Sequence, residues 1–102
     1  MTTQSSQDLD QVFEALASKH RREIVYLLSL SLEPYSIHKL AFLRNLSLPA
    51  IHKHIVILEK AGMVIRNKIG QTNFLTLNRE SLSGLQDWLN RINTAGKAMK
   101  LP

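Results

Sequence analysis

Ser47-Leu-Pro-Ala-Ile-His-Lys-His-Ile-Val-Ile-Leu-Glu-Lys-Ala-Gly62 is the stretch on which the fold turns. With successive residues about 100° apart around a helix axis, two faces separate. Ile51, Ile55 and Leu58 fall together, with Ala50, His54 and Ala61 on their flank. Pro49, His52, Lys53, Val56 and Lys60 fall on the opposite side. The first set suits a core; the second is short, mixed and partly basic. Pro49 belongs in a first turn, where a missing N–H costs nothing. A residue before proline resists helical angles, so either Ser47 or Leu48 is the cap. Gly62 supplies the left-handed stop.

Taken alone, this segment reads as an ordinary amphipathic core helix. Its neighbours make it more specific. Upstream, Ser36-Ile-His-Lys-Leu-Ala-Phe-Leu43 is a short helical pattern with Ile37, Leu40 and Ala41 inward. Only Arg44-Asn45-Leu46 connects the two, with Leu46 placed to plug the corner. Helices joined so tightly cross steeply, as in a helix-turn-helix. Downstream, Val64-Ile65-Arg66-Asn67-Lys68-Ile69 and Thr72-Asn73-Phe74-Leu75-Thr76-Leu77 are strand-like, and Gly70-Gln71 suits a tight turn with glycine first. A helix-turn-helix followed at once by a hairpin is a winged helix.

Working outward, Leu9, Val12, Phe13 and Leu16 mark one stripe of a first helix. A second runs from Lys19 to about Leu30, with Ile24, Val25, Leu27 and Leu28 inward. Tyr35-Ser36 adds a short third strand to the wing. A last helix covers Ser81 to Ala95, with Leu82, Leu85, Trp88, Leu89 and Ile92 at helical spacing. The expected fold is α+β, mainly α: a winged helix-turn-helix in the order helix, helix, short strand, helix, helix, strand, strand, helix. Residues 1–7 are expected to form a disordered tail, 8–95 the winged-helix domain and 96–102 a frayed tail.

The formal charge is +5, and its distribution is informative. Residues 19–79 carry ten Lys and Arg against three Glu, whereas residues 1–18 carry three acidic groups and no Lys or Arg. The excess basic charge therefore lies on the segment holding the reading helix and wing, the electrostatic footprint of a nucleic-acid binder. The absence of cysteine excludes disulfides, thiolate metal sites and cysteine nucleophiles. Met1 to Gln7 is polar and uncharged, so no secretory leader is expected, and no apolar run approaches a membrane span. The expected location is the cytoplasm, with no membrane partner.

From Val12 to about Trp88 the chain resembles the ArsR family of bacterial and archaeal repressors. Leu16-Ala-Ser-Lys-His-Arg-Arg-Glu-Ile24, the stretch from Ser47 through Met63-Val64, and the hairpin around Gly70 carry the resemblance, in the family's order and with its spacings. It implies a homodimeric regulator of double-stranded DNA, usually a repressor released by an effector, from a branch that senses no metal. A protein or small organic molecule is the kind of effector left. A two-fold dimer is also what this motif needs to address two half-sites. The dimer contact is expected on the first and last helices, through Leu9, Val12, Phe13, Leu16, Leu82, Leu85, Trp88, Leu89 and Ile92.

On the reading surface, Pro49, His52, Lys53 and Val56 are expected at base edges in the major groove. Ser47, Leu48 and the free N–H groups of the first turn are expected at a phosphate, with Lys60 further along. His54 sits between core and edge, and packing competes there with DNA contact. The wing offers Arg66, Lys68, Gln71, Thr72 and Asn73 for backbone contact with little sequence information. Lys19, His20, Arg21 and Arg22 are read as a solvated helix start that pairs with Glu23 or with acidic residues of the first helix. An enzyme is not expected: there is no nucleophile elbow, phosphate-cradling glycine loop or paired carboxylate. No cofactor or metal is expected either, since His52 and His54 are two apart and point to different faces. The alternative is a winged helix used for protein interaction without a DNA role.

Overall fold

The computed structural model describes the backbone of residues 4–99 and the side chains of residues 9–97. Five helices and three strands follow in order: α1 (Gln4–Ala15), α2 (Lys19–Ser29), β1 (Tyr35–Ser36), α3 (Ile37–Arg44), α4 (Leu48–Lys60), β2 (Val64–Ile69), β3 (Thr72–Leu77) and α5 (Ser83–Met99). A 3-10 turn, Arg79–Leu82, leads into α5. This is the expected winged helix-turn-helix.

The core forms where the stripes predicted it. Ile24 and Leu28 of α2, Ile37, Leu40 and Ala41 of α3, and Ile51, Ile55 and Leu58 of α4 are buried, with Met63, Val64 and Leu75 closing from the sheet side. Each large aliphatic taken out of water there contributes about 1.5–3 kcal/mol. Leu46 packs against this cluster from the α3–α4 corner.

That corner is made by Asn45, which takes the left-handed conformation (φ 56°, ψ 46°) and ends α3. Its N–H donates to the Phe42 carbonyl at 3.1 Å and the Leu46 N–H to the Ala41 carbonyl at 2.9 Å. This is the paired bonding of a Schellman stop, with asparagine where glycine is usual. α4 ends the same way: Gly62 (φ 74°) follows the cap, and the Met63 N–H donates to the Leu58 carbonyl at 3.0 Å. Ser47 is the cap at the other end, its hydroxyl accepting from the Ala50 N–H at 3.2 Å, so Leu48 already lies in the helix.

The sheet is antiparallel in the order β1-β3-β2, with Ile69 paired to Thr72 across Gly70-Gln71 and Tyr35 paired to Leu75. Gly70, at φ 63°, occupies the first turn position as expected.

Both tails depart from expectation. α1 begins at Gln4, so residues 4–7 of the expected tail are helical, and residues 1–3 lie outside the described residues. Gln4-Ser-Ser-Gln7 contains no Gly or Pro to stop a helix running back from Asp8. α5 likewise continues through Gly96 to Met99, and residues 100–102 lie outside the described residues. A single glycine costs a helix only about 1 kcal/mol relative to alanine. No described helix is long and apolar enough to cross a membrane.

Candidate nucleic-acid interface

The core fixes which side of α4 faces outward. With Ile51, Ile55 and Leu58 buried, Pro49, Lys53, Val56 and Lys60 are exposed and His52 is half-buried. Lys53 is exposed and takes part in no ion pair among the described residues. Val56 is 45% exposed, an apolar side chain on the open face and thus a surface suited to a thymine methyl. Lys60 stands apart from this group. It is seven residues beyond Lys53, about 10 Å along the axis, and it lines a cleft shared with Leu9, Val12, Ser81 and Leu85.

The amino end of α4 offers less to an anion than expected. The Ser47 hydroxyl is occupied as acceptor by the Ala50 N–H, and Pro49 has no N–H to give. The exposed Leu48 N–H and the Ser47 hydroxyl proton are the remaining donors of that turn.

His54 is turned toward the body. Its Nδ1 lies 3.2 Å from Nη1 of Arg21, and its ring stands against His20 with centroids 5.4 Å apart. Burial, then the charges of Arg21 and His20, lower its pKa below the ordinary 6.5. At neutral pH the ring is therefore uncharged and engaged internally.

Arg21 and Arg22 depart from the expected pairing with carboxylates. Arg21 donates to the Ala15 carbonyl at 2.7 Å, and Arg22 donates to the Leu16 carbonyl at 2.8 Å. Both serve carbonyls at the end of α1, where no helical donor follows. Glu23 instead meets Arg44, at 4.0 Å.

On the wing, Arg66 is a correction. Its Nη2 donates to Glu59 at 2.7 Å and its Nε at 3.1 Å, a forked pair between β2 and the last turn of α4. A guanidinium held bidentate by a carboxylate is already neutralised. Lys68 and Gln71 are exposed, and Thr72 and Asn73 are half-buried beside the turn. Among the described residues, the exposed lysines of this surface outside any ion pair are Lys53 and, further along, Lys60 on the helix and Lys68 on the wing.

The expected dimer residues divide. Val12 is buried in its own protomer's core, and Leu16, Leu82 and Leu85 pack against that core. Leu9 is half-buried. Exposed on the outer side are Phe13 (42%), Trp88 (37%), Leu89 (42%) and Ile92 (51%). Phe13 and Trp88 meet edge to face at 5.3 Å, which joins α1 and α5 into one apolar surface.

No curated protein matches this sequence. The family model described as bacterial regulatory protein, arsR family, matches residues 18–66, from the cap of α2 into β2. A crystal structure of an ArsR family transcriptional regulator superposes with a TM-score of 0.81 at 27% identity, covering 90% of this chain and 93% of that one. An ArsR-like transcriptional regulator from Rhodococcus sp. RHA1 gives 0.79 at 28% identity, over 97% and 89% of the two chains. A homodimeric winged helix-turn-helix DNA-binding domain from Mycobacterium bovis gives 0.67 at 18% identity, over 99% and 94%, a likeness of fold alone. Taken with the helix-turn-helix and the hairpin that follows it, these likenesses make the chain similar to the ArsR family of bacterial transcriptional regulators.

Proposed function

We propose that this chain is a sequence-specific, double-stranded-DNA-binding regulator, a cytoplasmic homodimeric repressor that reads an inverted-repeat operator with α4 in the major groove. The carrying observation is the outward face of α4, where Pro49, His52, Lys53 and Val56 stand clear of the core beside a wing bearing Lys68. Lys53 donates to guanine O6 and N7, His52 reads a base edge or a phosphate, and Val56 meets a thymine methyl. Lys68, with the Ser47 hydroxyl and the Leu48 N–H, holds the backbone; Gln71, Thr72 and Asn73 lie beside it. Phe13, Trp88, Leu89 and Ile92 supply the two-fold contact, which sets the spacing of the half-sites. No role in catalysis is proposed. The releasing effector is a partner protein or a small organic ligand.

Selection from a random DNA pool tests this reading. An inverted repeat should be enriched, with affinity falling linearly in log–log form as salt rises. A pool that stays unenriched, with weak binding indifferent to salt, would instead favour a winged helix that binds protein.

A further inference from the structure

Arg21 touches two elements besides its own. Its Nε donates to the Ala15 carbonyl at 2.7 Å and its Nη2 to the Glu14 carbonyl at 3.5 Å, both at the end of α1. Its Nη1 reaches Nδ1 of His54, 3.2 Å away in the middle of α4. Behind that ring lies His20 of α2, whose own Nδ1 faces Nη2 of Arg44 from α3 at 3.3 Å. Arg44 continues to Glu23 at 4.0 Å. The groups facing His54 are therefore Arg21 and His20 of α2, with Arg44 of α3 one contact further out and Glu23 two; α1 presents carbonyls to Arg21. Guanidinium has no acceptor, so the Arg21 contact is a hydrogen bond only while Nδ1 carries no proton.

We propose that Arg21 is a positioning residue that ties the end of α1 to α4 through His54, and that protonation of His54 releases the tie. The DNA consequence rests on the reading of α4 as the DNA-contacting helix. α1 carries Phe13 of the apolar surface, so one side chain connects the helix that faces a partner with the helix that faces DNA. A proton taken from solvent at Nδ1 replaces an acceptor by a donor opposite a cation. Contact then becomes repulsion, and among the described residues no carboxylate pairs with Arg21 or His54 to relieve it. The depressed pKa keeps the tie closed at neutral pH and confines its opening to acid.

Three variants separate this from a merely structural role. His54→Asn offers a side-chain oxygen near the place of Nδ1 and cannot titrate; His54→Leu offers nothing; Arg21→Met removes the donor. In the DNA-free protein, amide exchange along α4 should quicken in Arg21→Met and His54→Leu and stay slow in His54→Asn. The His54 ring, followed by NMR, should titrate closer to its ordinary range in Arg21→Met. On the selected DNA, wild type should lose about tenfold in affinity, roughly 1.4 kcal/mol of coupling, between about pH 7.5 and pH 5.5. His54→Asn should show none of that loss, and Arg21→Met should be weak at both. Unchanged α4 exchange and an unchanged His54 titration in Arg21→Met would overturn the tie, whether or not DNA binds. Both effects in Arg21→Met, together with a wild type that binds no DNA, would overturn the DNA reading alone and leave the tie in place.

Discussion

Lys53 combines exposure, position and a charge outside any ion pair of the described residues, so its removal should change which sequences bind. Lys53→Ala is expected to lose about 1–3 kcal/mol of discrimination per half-site; competition among related operators measures it, and an unaltered ranking would place the reading face elsewhere. Asn45 was visible in the sequence as part of a short connection, but not as the left-handed residue that makes the connection possible. Asn45→Gly should leave stability nearly unchanged, whereas Asn45→Val should cost about 1–2 kcal/mol in urea unfolding. His54 shows why its role was not readable from spacing. The stripe put it between core and edge, and only the return of α2 alongside α4 supplies Arg21 and His20 as neighbours. Its folded pKa lies below the ordinary 6.5, so between those values the unfolded chain binds a proton that the native chain refuses. The resulting stability is full above about 6.5 and lost as pH falls through the folded value. Thermal midpoints taken across that window should decline in wild type and decline less in His54→Asn.

At the scale of elements, the apolar periodicities were sufficient for the three inner helices and the hairpin, because those elements owe their faces to one shared core. Local chemistry settled the ends poorly. The helices at both termini run on where nothing in the sequence forbids it, and the 3-10 turn before α5 carries no strong signal of its own. The wing illustrates a different limit. Arg66 alternates onto the same strand face as Lys68, yet the chain reversal at Gly62 brings it back against Glu59. A salt series should separate the two: Lys68→Ala should reduce the log–log slope by about one, and Arg66→Ala should leave it nearly unchanged. Equal slopes for both variants would mean that the Glu59 pair opens on DNA. β2 is also an edge strand, since the sheet order is β1-β3-β2, and charged side chains on such an edge discourage pairing with another chain.

The whole molecule measures 60 × 30 × 22 Å with a radius of gyration of 16.1 Å. A compact domain of this length is nearer 13 Å. α5 accounts for much of the difference, since 17 residues span about 25 Å. The proposed dimer would cover Trp88, Leu89 and Ile92, which lie exposed where this helix extends past its own core. Leu89→Glu with Ile92→Glu should therefore yield a folded monomer in sedimentation, because both side chains lie outside the protomer core; a persistent dimer would move the contact elsewhere. The same stripe makes the order of α5 a matter of numbers as well as of sequence. Where a helix is completed by its twin, assembly is bimolecular and the melting temperature rises with protein concentration. Dilution then acts as a mild denaturant confined to one end of the chain. In a cell that holds few copies, the unpaired helix is the part most open to proteolysis, so the chain's lifetime should lengthen as it accumulates.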